Sequence, residues 1–362
     1  MIGGMRRRAF LGQGPETDMR YERASKWLLA TIWGKREARE WCDKNNISIT
    51  RAAHEGVGSS GDFLAPQDLT GAIADMREMY GAMRRRARVV PMKSNVAHVP
   101  KHSGAFPPDG SSATAASFLQ EGNSATSIQI GIDSVGLAAK KIGALVLLSY
   151  EVEEDARAIV DFVVNELAWA LSAKEDDCAF NGDGTSAYGG IKGILSIAND
   201  GLHGIAKVSA SSHNTYGTLD QTDLSKVMGF IRASAIPNGA WFVSQQCFAQ
   251  TFCRLGATGN GYLDYADIEG IRTPLFLGFP VILCQKLSNS TGSLSGKGML
   301  AFGDMYQAAI LGERRQMTIG RSAERYLDID QIGILATERI DVSIHDMGDA
   351  TNPGALAVLF GA

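Results

Sequence analysis

Apolar positions recur every three or four residues across 150–180, where Val152, Ala156, Ile159, Val163, Leu167, Ala170 and Leu171 share one side of a helix. Ser149 ahead of it suits an N-cap, since its hydroxyl can accept from a first-turn N–H that has no helical partner. Glu151, Glu153, Glu154 and Asp155 follow, where negative charge offsets the positive end of the helix dipole. Asn181-Gly182 ends the pattern. About 30 residues at 1.5 Å each predict a rod of roughly 45 Å. The run Lys141–Ser149 before it reads as a buried strand.

Other stretches alternate. Arg88–Lys101 and Ser127–Ala138 are strand-like, the second with Ile128, Ile130 and Ile132 on one face. Between them, His102–Thr126 is polar, and Phe106-Pro107-Pro108-Asp109-Gly110 is a turn signal. A loop that long is unusual inside a compact domain, so the pattern predicts a hairpin that projects and finds its partner elsewhere. Ahead of it, Gln67–Arg86 is helical and ends in the basic run Arg84-Arg85-Arg86-Ala87-Arg88. Basic residues suit the carbonyl end of a helix; contact with nucleic acid or a neighbouring subunit is the other reading.

From 195 to 320 helix and strand signals alternate, which predicts an α+β domain with its own core. Helices are expected over Asp223–Ala235, capped by Asp220 or Thr222, and over Gln245–Leu255. Gly256–Gly261 reads as a loop. Strands are expected over Ala240–Ser244, Leu275–Leu283, Met299–Phe302 and Gln307–Leu311. The tail reads as a strand, Ile332–His345, a turn, Asp346–Gly354, and a closing strand, Ala355–Phe360.

Residues 1–60 differ in character. Eleven Lys and Arg stand against seven acids, Trp27, Leu28, Ile32 and Trp41 fall at helical spacing, and His54–Gly61 is a Gly/Ser-rich joint. This is a helical arm, suited to packing on its own body or on a neighbour.

With 362 residues, 45% of them hydrophobic and 20% charged, the chain can build two or three cores and has ordinary globular composition. A net charge of −4 argues against the whole chain being a basic nucleic-acid binder. Five scattered cysteines without a C-x-x-C pair support neither a zinc site nor a disulfide framework, and reduced thiols in the cytosol are expected. No apolar run is long enough for a membrane span, and the basic N-terminus lacks a secretory signal's apolar core.

Candidate chemistry is sparse. Gly182-Asp183-Gly184-Thr185 invites a phosphate-loop reading, but it follows a helix C-terminus, where N–H groups do not converge on an anion. A tight loop needing positive φ is expected instead. Among the four acids of the first helical turn, only Glu151 and Asp155 share a face, and no histidine lies near. His98 and His102 flank Pro100, so they cannot be helix-spaced metal ligands, and His345-Asp346 near Asp349 has no accompanying nucleophile. Neither a cofactor, a metal nor a catalytic set is expected.

Six short motifs occur in one order. They are Gly61–Pro66, Leu119-Gln120-Glu121-Gly122, Ser149 with its acidic turn, Phe180–Thr185 with Gly190-Ile191, Leu277–Val281, and Phe302-Gly303-Asp304. In this order they resemble the Hong Kong 97-like major capsid proteins of tailed bacteriophages, over residues 61–362. Asp62 stands where the family has a second glycine. The resemblance implies an α+β Hong Kong 97-like fold. Residues 1–60 would be an N-terminal arm and 88–126 an extended loop lying across the adjacent subunit. Residues 61–87, 127–194 and 321–362 would form a peripheral domain on the spine helix, with 195–320 as the axial domain.

The implied function is a shell of pentamers and hexamers around double-stranded DNA, assembled in the host cytoplasm and present in the virion. Its partners would be further copies of itself, a scaffolding protein, a portal and a decoration protein, with non-specific DNA contact through the arm or Arg84–Arg88 and no membrane. Assembly contacts are expected at Phe106, Pro107, Glu121, Arg84, Arg85, Arg86, Asn181, Gly182, Asp183, Gly184, Glu338 and Arg339. Some relatives crosslink a loop lysine to an asparagine with a glutamate as catalyst. Here Glu121–Ile128 has no lysine, Glu338-Arg339 resembles the glutamate's surroundings, and Gln331 stands near the asparagine position. No crosslink is therefore expected. The alternatives are an encapsulin-type compartment shell and, in another class, a small-molecule enzyme using Gly182–Thr185.

Overall fold

The computed structural model describes residues 26–27, 30, 36–45, 47, 81–102, 132–149, 159–258, 263–268, 271–322 and 325–362. The segments Phe106–Pro107 and Glu121, the acidic turn after Ser149, Gly61–Pro66 and most of the helix expected over 67–86 lie outside them. Helix α1 is Arg36–Lys44. Strands β1 (Arg88–Pro91), β2 (Val96–His102), β3 (Ile132–Ala138) and β4 (Lys140–Ser149) follow, then the long helix α2 (Ile159–Asn181) and short α3 (Ile194–Ala198). Next come β5 (Lys207–Ala210), α4 (Gln221–Gly229), β6 (Ala240–Val243), α5 (Gln245–Cys247), α6 (Cys253–Thr258), β7 (Leu263–Ile268), β8 (Ile271–Phe276) and β9 (Phe279–Leu283). Strand β10 (Gly298–Gly303), α7 (Met305–Ala308), β11 (Ala309–Ser322), β12 (Gln331–Ile344) and β13 (Leu356–Gly361) complete the order.

These strands make a four-stranded sheet, β1-β11-β12-β4, a seven-stranded sheet, β5-β13-β10-β6-β9-β8-β7, and a two-stranded hairpin, β2-β3. The run expected as one strand over Arg88–Lys101 is thus two. Strand β1 pairs in parallel with β11, whereas β2 pairs antiparallel with β3 from Val96↔Ala138 to His102↔Ile132. The hairpin legs are present as the alternation implied. Residues 92–95 turn the chain between the two roles, and Met92, Val99, Val135 and Leu137 pack with Ile310 of β11 at the hairpin root.

Sheet membership departs from the linear division at 320. Strand β11 begins at Ala309 and joins the four-stranded sheet, while β13, from the tail, lies between β5 and β10 in the seven-stranded one. Local pattern marks a strand but not its partner, because partner choice is decided by burial against distant residues. Strand β13 is buried at all six positions, as a central strand must be.

Other expectations shift in detail. The chain at 82–86 is a turn with one helical bond, Ala87 N–H to Met83 O at 2.8 Å, rather than the end of a regular helix. Asp220 caps α4 in a reciprocal box with Asp223, and the helix stops at Gly229, well short of Ala235. Gln245–Thr258 is helical with a π-type turn at Phe248–Phe252, so Gly256–Thr258, expected in a loop, are helical instead. Leu275–Leu283 is not one strand but the end of β8, a two-residue turn and β9. Leu277 and Gly278 have φ of +52° and +82°, the two positive angles that a type I′ hairpin turn requires. A Cβ on Gly278 would meet nothing within 4 Å, so Gly278→Ala isolates backbone strain. It should cost about 1 kcal/mol, read as a drop of a few degrees in the melting midpoint.

The seven-stranded sheet is built around Trp241, which lies 4.3 Å from Phe302 and 5.6 Å from Phe252 between ring centroids and donates from Nε1 to Phe276 O at 3.2 Å. A second core joins α2 to both sheets through Phe180, Phe242, Leu311, Ile340 and Leu356. Of the expected stripe, Val163, Leu167 and Leu171 are buried and Ala170 is half-buried, while Val152 and Ala156 lie outside the described residues; Ala168 is buried beside them. From the arm, Trp27, Ala30, Ala38, Cys42 and Ile47 are buried too.

Candidate assembly site

Three acids, Glu175, Asp176 and Asp177, sit in the last two turns of α2, where the dipole disfavours negative charge. Their reason is tertiary. Asp176 accepts from Ala82 N and Met83 N, both at 2.9 Å. Glu175 forks onto Arg84, at 2.7 Å from Nη2 and 3.1 Å from Nε, and Glu313 of β11 adds an oxygen 3.2 Å from Nη1. Glu338 of β12, 1% exposed, adds its charge from the sheet. Burial works against the Arg84 charge, but the hydrogen bond and charge of Glu175, then Glu313 and Glu338, hold it above its usual range. One guanidinium therefore ties the chain ahead of the hairpin to the long helix and two strands.

Arg84, expected at a helix end and among the assembly contacts, is internal, enclosed with its carboxylate partners. Arg85 and Arg88 remain exposed and Arg86 half-buried.

Asp176 is 6% exposed, and burial pushes its carboxyl up to about 6 despite the two N–H donors. A raised acid pKa means that the folded state holds the proton more tightly than the unfolded chain does. Its contribution is fullest below about 4 and is lost as pH rises through 6. Lowering pH from 7 to 5 should therefore stabilise the subunit by about 1 kcal/mol through this group. Urea titrations at both pH values should show that increment in the native chain and not in Asp176→Asn.

The hairpin root has a second tie. Asp341 accepts from Ala138 N at 2.6 Å and lies 3.9 Å from Lys140 Nζ, while Arg339 and Arg314 both donate to Asn95 Oδ1. Glu338 and Arg339 thus face opposite sides of the sheet, as neighbours on a strand do.

The Asn181–Thr185 loop is a closure, but positive φ accounts for only part of it. Gly184 has φ of +82°; Gly182 is needed for close approach. A Cβ on Gly182 would lie 2.5 Å from Cys178 O and 2.7 Å from Ile191 O. Gly193 donates to Gly182 O at 2.8 Å and Gly184 to Ile191 O at 2.9 Å. Asn181 Nδ2 donates to Lys286 O and Asp177 Oδ1. Asp183 accepts from Thr185, which holds its carboxyl below the usual range. The loop's N–H groups at Gly182, Gly184 and Thr185 are spent within the subunit.

His213, Asp220 and Asp223 lie close enough to share a cation among the described residues, but their oxygens already close the α4 capping box and accept from His213. His345 is partly buried, and desolvation depresses its pKa; Asp346 beside it pairs with Arg232 at 2.6 Å. Among the described residues, no serine, threonine or cysteine lines the cavity that they share.

One feature escaped the sequence reading. Strand β4 is not buried on both sides but alternates, and Leu145 and Leu147 are 51% and 43% exposed. Leu145 is the register partner of Leu335, itself 43% exposed, and Tyr326 lies over the neighbouring Gly333. These residues share the face opposite Glu338, and so opposite α2. The signal was present in the alternation of Lys141, Gly143, Leu145 and Leu147, masked by apolar residues on both phases.

Comparison with known proteins follows the same architecture. The profile of the Phage capsid family matches residues 61–349. A search of curated protein sequences gives no match. Among solved structures, the capsid of an empty GTA particle computed with C5 symmetry superposes with a TM-score of 0.53 at 14% identity, over 89% of this chain and 98% of that one. A chain of Microbacterium phage Oxtober96 gives 0.53 at 15% identity, over 87% and 100%. One of Mycobacterium phage Bobi gives 0.52 at 14%, over 90% and 98%. The chain is therefore a member of the Phage capsid family, with the fold of a major capsid protein.

Proposed function

We propose that the chain assembles, through non-covalent contacts, into pentamers and hexamers of an icosahedral virion shell around double-stranded DNA. The observation that carries this is the solvent-facing apolar patch of Leu145, Leu147 and Leu335 on a sheet whose other face already has its helix. Clustered apolar side chains left in water mark a protein interface. A neighbouring copy would cover them, with the β2-β3 hairpin and the arm as the reaching elements. A scaffolding protein, a portal and a decoration protein fit the same reading, with assembly in the host cytoplasm. Non-covalent contact is supported by Glu338, whose carboxylate is turned into the Arg84 cluster rather than outward. The internal spending of the Gly182–Thr185 donors supports a structural rather than enzymatic role.

The test is expression of the chain alone, followed by negative-stain microscopy and light scattering. Closed shells, or rings of five and six, are expected. A monomer or dimer that persists at high concentration, with scaffold or phage lysate supplied, would overturn the reading. Shells that enclose a protein cargo and no DNA would reassign it to a compartment.

A further inference from the structure

At a sheet edge, backbone donors and acceptors have no strand to meet, and proteins blunt such edges with short strands, proline or charge. Four edges bound the two larger sheets, and three follow that rule. Strand β1 has four residues and ends in Pro91, β5 has four and opens with the exposed Lys207, and β7 carries the exposed Asp264 and Asp267. Strand β4 does not. It is ten residues long, about 33 Å, and pairs with β12 from Lys140↔Ile340 to Ser149↔Gln331 without a bulge. From Ile142 to Leu148 it has neither a proline nor a charge, and among the described residues no strand lies beyond it.

This strand is complementary to itself when reversed. Lys140 is engaged by Asp341, so Lys141 is the exposed charge at its start. Past Ser149 the sequence runs into Glu151, Glu153, Glu154 and Asp155. Between these ends stand Leu145 and Leu147, 51% and 43% exposed on the face away from α2. A second copy, rotated by half a turn about an axis beside Val146 and perpendicular to the sheet, meets the first edge to edge and antiparallel. That arrangement keeps both α2 helices on one face, sets Leu145 opposite Leu147, and carries each Lys141 toward the other copy's acids. Parallel pairing of the same two edges would turn one sheet over and bring Lys141 against Lys141. A shift of two residues either way would leave a leucine opposite Gly143 or Ser149.

We propose that β4 pairs with β4 of a second copy across a two-fold axis, joining two four-stranded sheets into one of eight strands. Main-chain hydrogen bonds supply the adhesion, and the Leu145–Leu147 pairs supply the register. The proposal rests on the shell reading and adds which copies meet. Neighbours around a ring of five or six are related head to tail, so a two-fold pair joins a copy in one ring to a copy in the next. Rings therefore form without this contact, and closure of the shell needs it.

For the test, Leu145→Cys and Leu147→Cys are made singly, and the two chains are assembled separately and as an equal mixture, then oxidised with diamide. Opposed residues on antiparallel strands lie close enough to bridge. On a non-reducing gel the mixture should give a linked dimer at least tenfold above either variant alone and above the native chain, whose own cysteines are the control. Leu147→Lys should leave rings of five and six in negative stain and raise the concentration needed for closed shells at least tenfold. A dimer equally strong in the single variants, or absent from all samples, overturns the proposal. So do Leu147→Lys shells at the native concentration, or loss of rings as well from a subunit with the native melting midpoint. A linked mixture from chains that form neither rings nor shells upholds the pairing and overturns the shell reading. Native shells without the link do the reverse.

Discussion

Replacing Arg84 by Met should cost the subunit about 3–5 kcal/mol, the usual penalty for stranding buried carboxylates. Glu175 and Glu338 would lose a guanidinium that only 5% of its side-chain surface shares with solvent, and no water could take its place without opening the core. The predicted readout is a large fall in the urea midpoint of unassembled subunits, or failure to fold. Arg84→Met/Glu175→Met should be more stable than Arg84→Met, because it removes one of the stranded charges along with its partner. A single variant that unfolds with the native midpoint, or a double that adds no recovery, would show that the cluster holds nothing together.

The opposite phenotype is expected from Leu145→Asp combined with Leu335→Asp. Both side chains are about half exposed, so the isolated subunit should lose about 0.5 kcal/mol per site, with up to about 1 kcal/mol more because the two aspartates are register partners and repel. Each buried contact in the interface should lose about 2–4 kcal/mol, since a carboxylate would have to be desolvated against apolar atoms. At about 1.4 kcal/mol per tenfold, 3 kcal/mol raises the concentration needed for assembly by roughly a hundredfold. Light scattering should then show folded, unassembled protein where the native chain makes shells. Shells at unchanged concentration would remove this face from the assembly contacts.

Much of this architecture is written in local pattern. The period of α2, the legs of the hairpin and the stop at Asn181-Gly182 each follow from neighbours in sequence. Long-range facts were not legible. Nothing near Arg84 shows that Glu175, some ninety residues on, will bury it; a basic run reads as surface unless its partner is known. The acids at the end of α2 were the available clue, since they oppose the dipole and so require a tertiary reason. Likewise Gly182 reads as a φ requirement, yet it is the passing backbone of Ile191 and Gly193 that leaves no room for a Cβ. The Leu145 face was hidden because the strand is apolar on both phases, and only the position of α2 decides which phase is covered.

The ties at the hairpin root have a mechanical meaning. Residues 82–84 are gripped by Glu175 and Asp176, and Ala138 is gripped by Asp341, so both ends of the hairpin excursion are anchored inside the same body. A pull on the hairpin is therefore not absorbed at a slack joint. It passes into α2 through Glu175 and Asp176, and into β11 and β12 through Glu313 and Asp341. A shell of such subunits would resist internal pressure as a network of stiff levers, with its compliance confined to the contacts between copies.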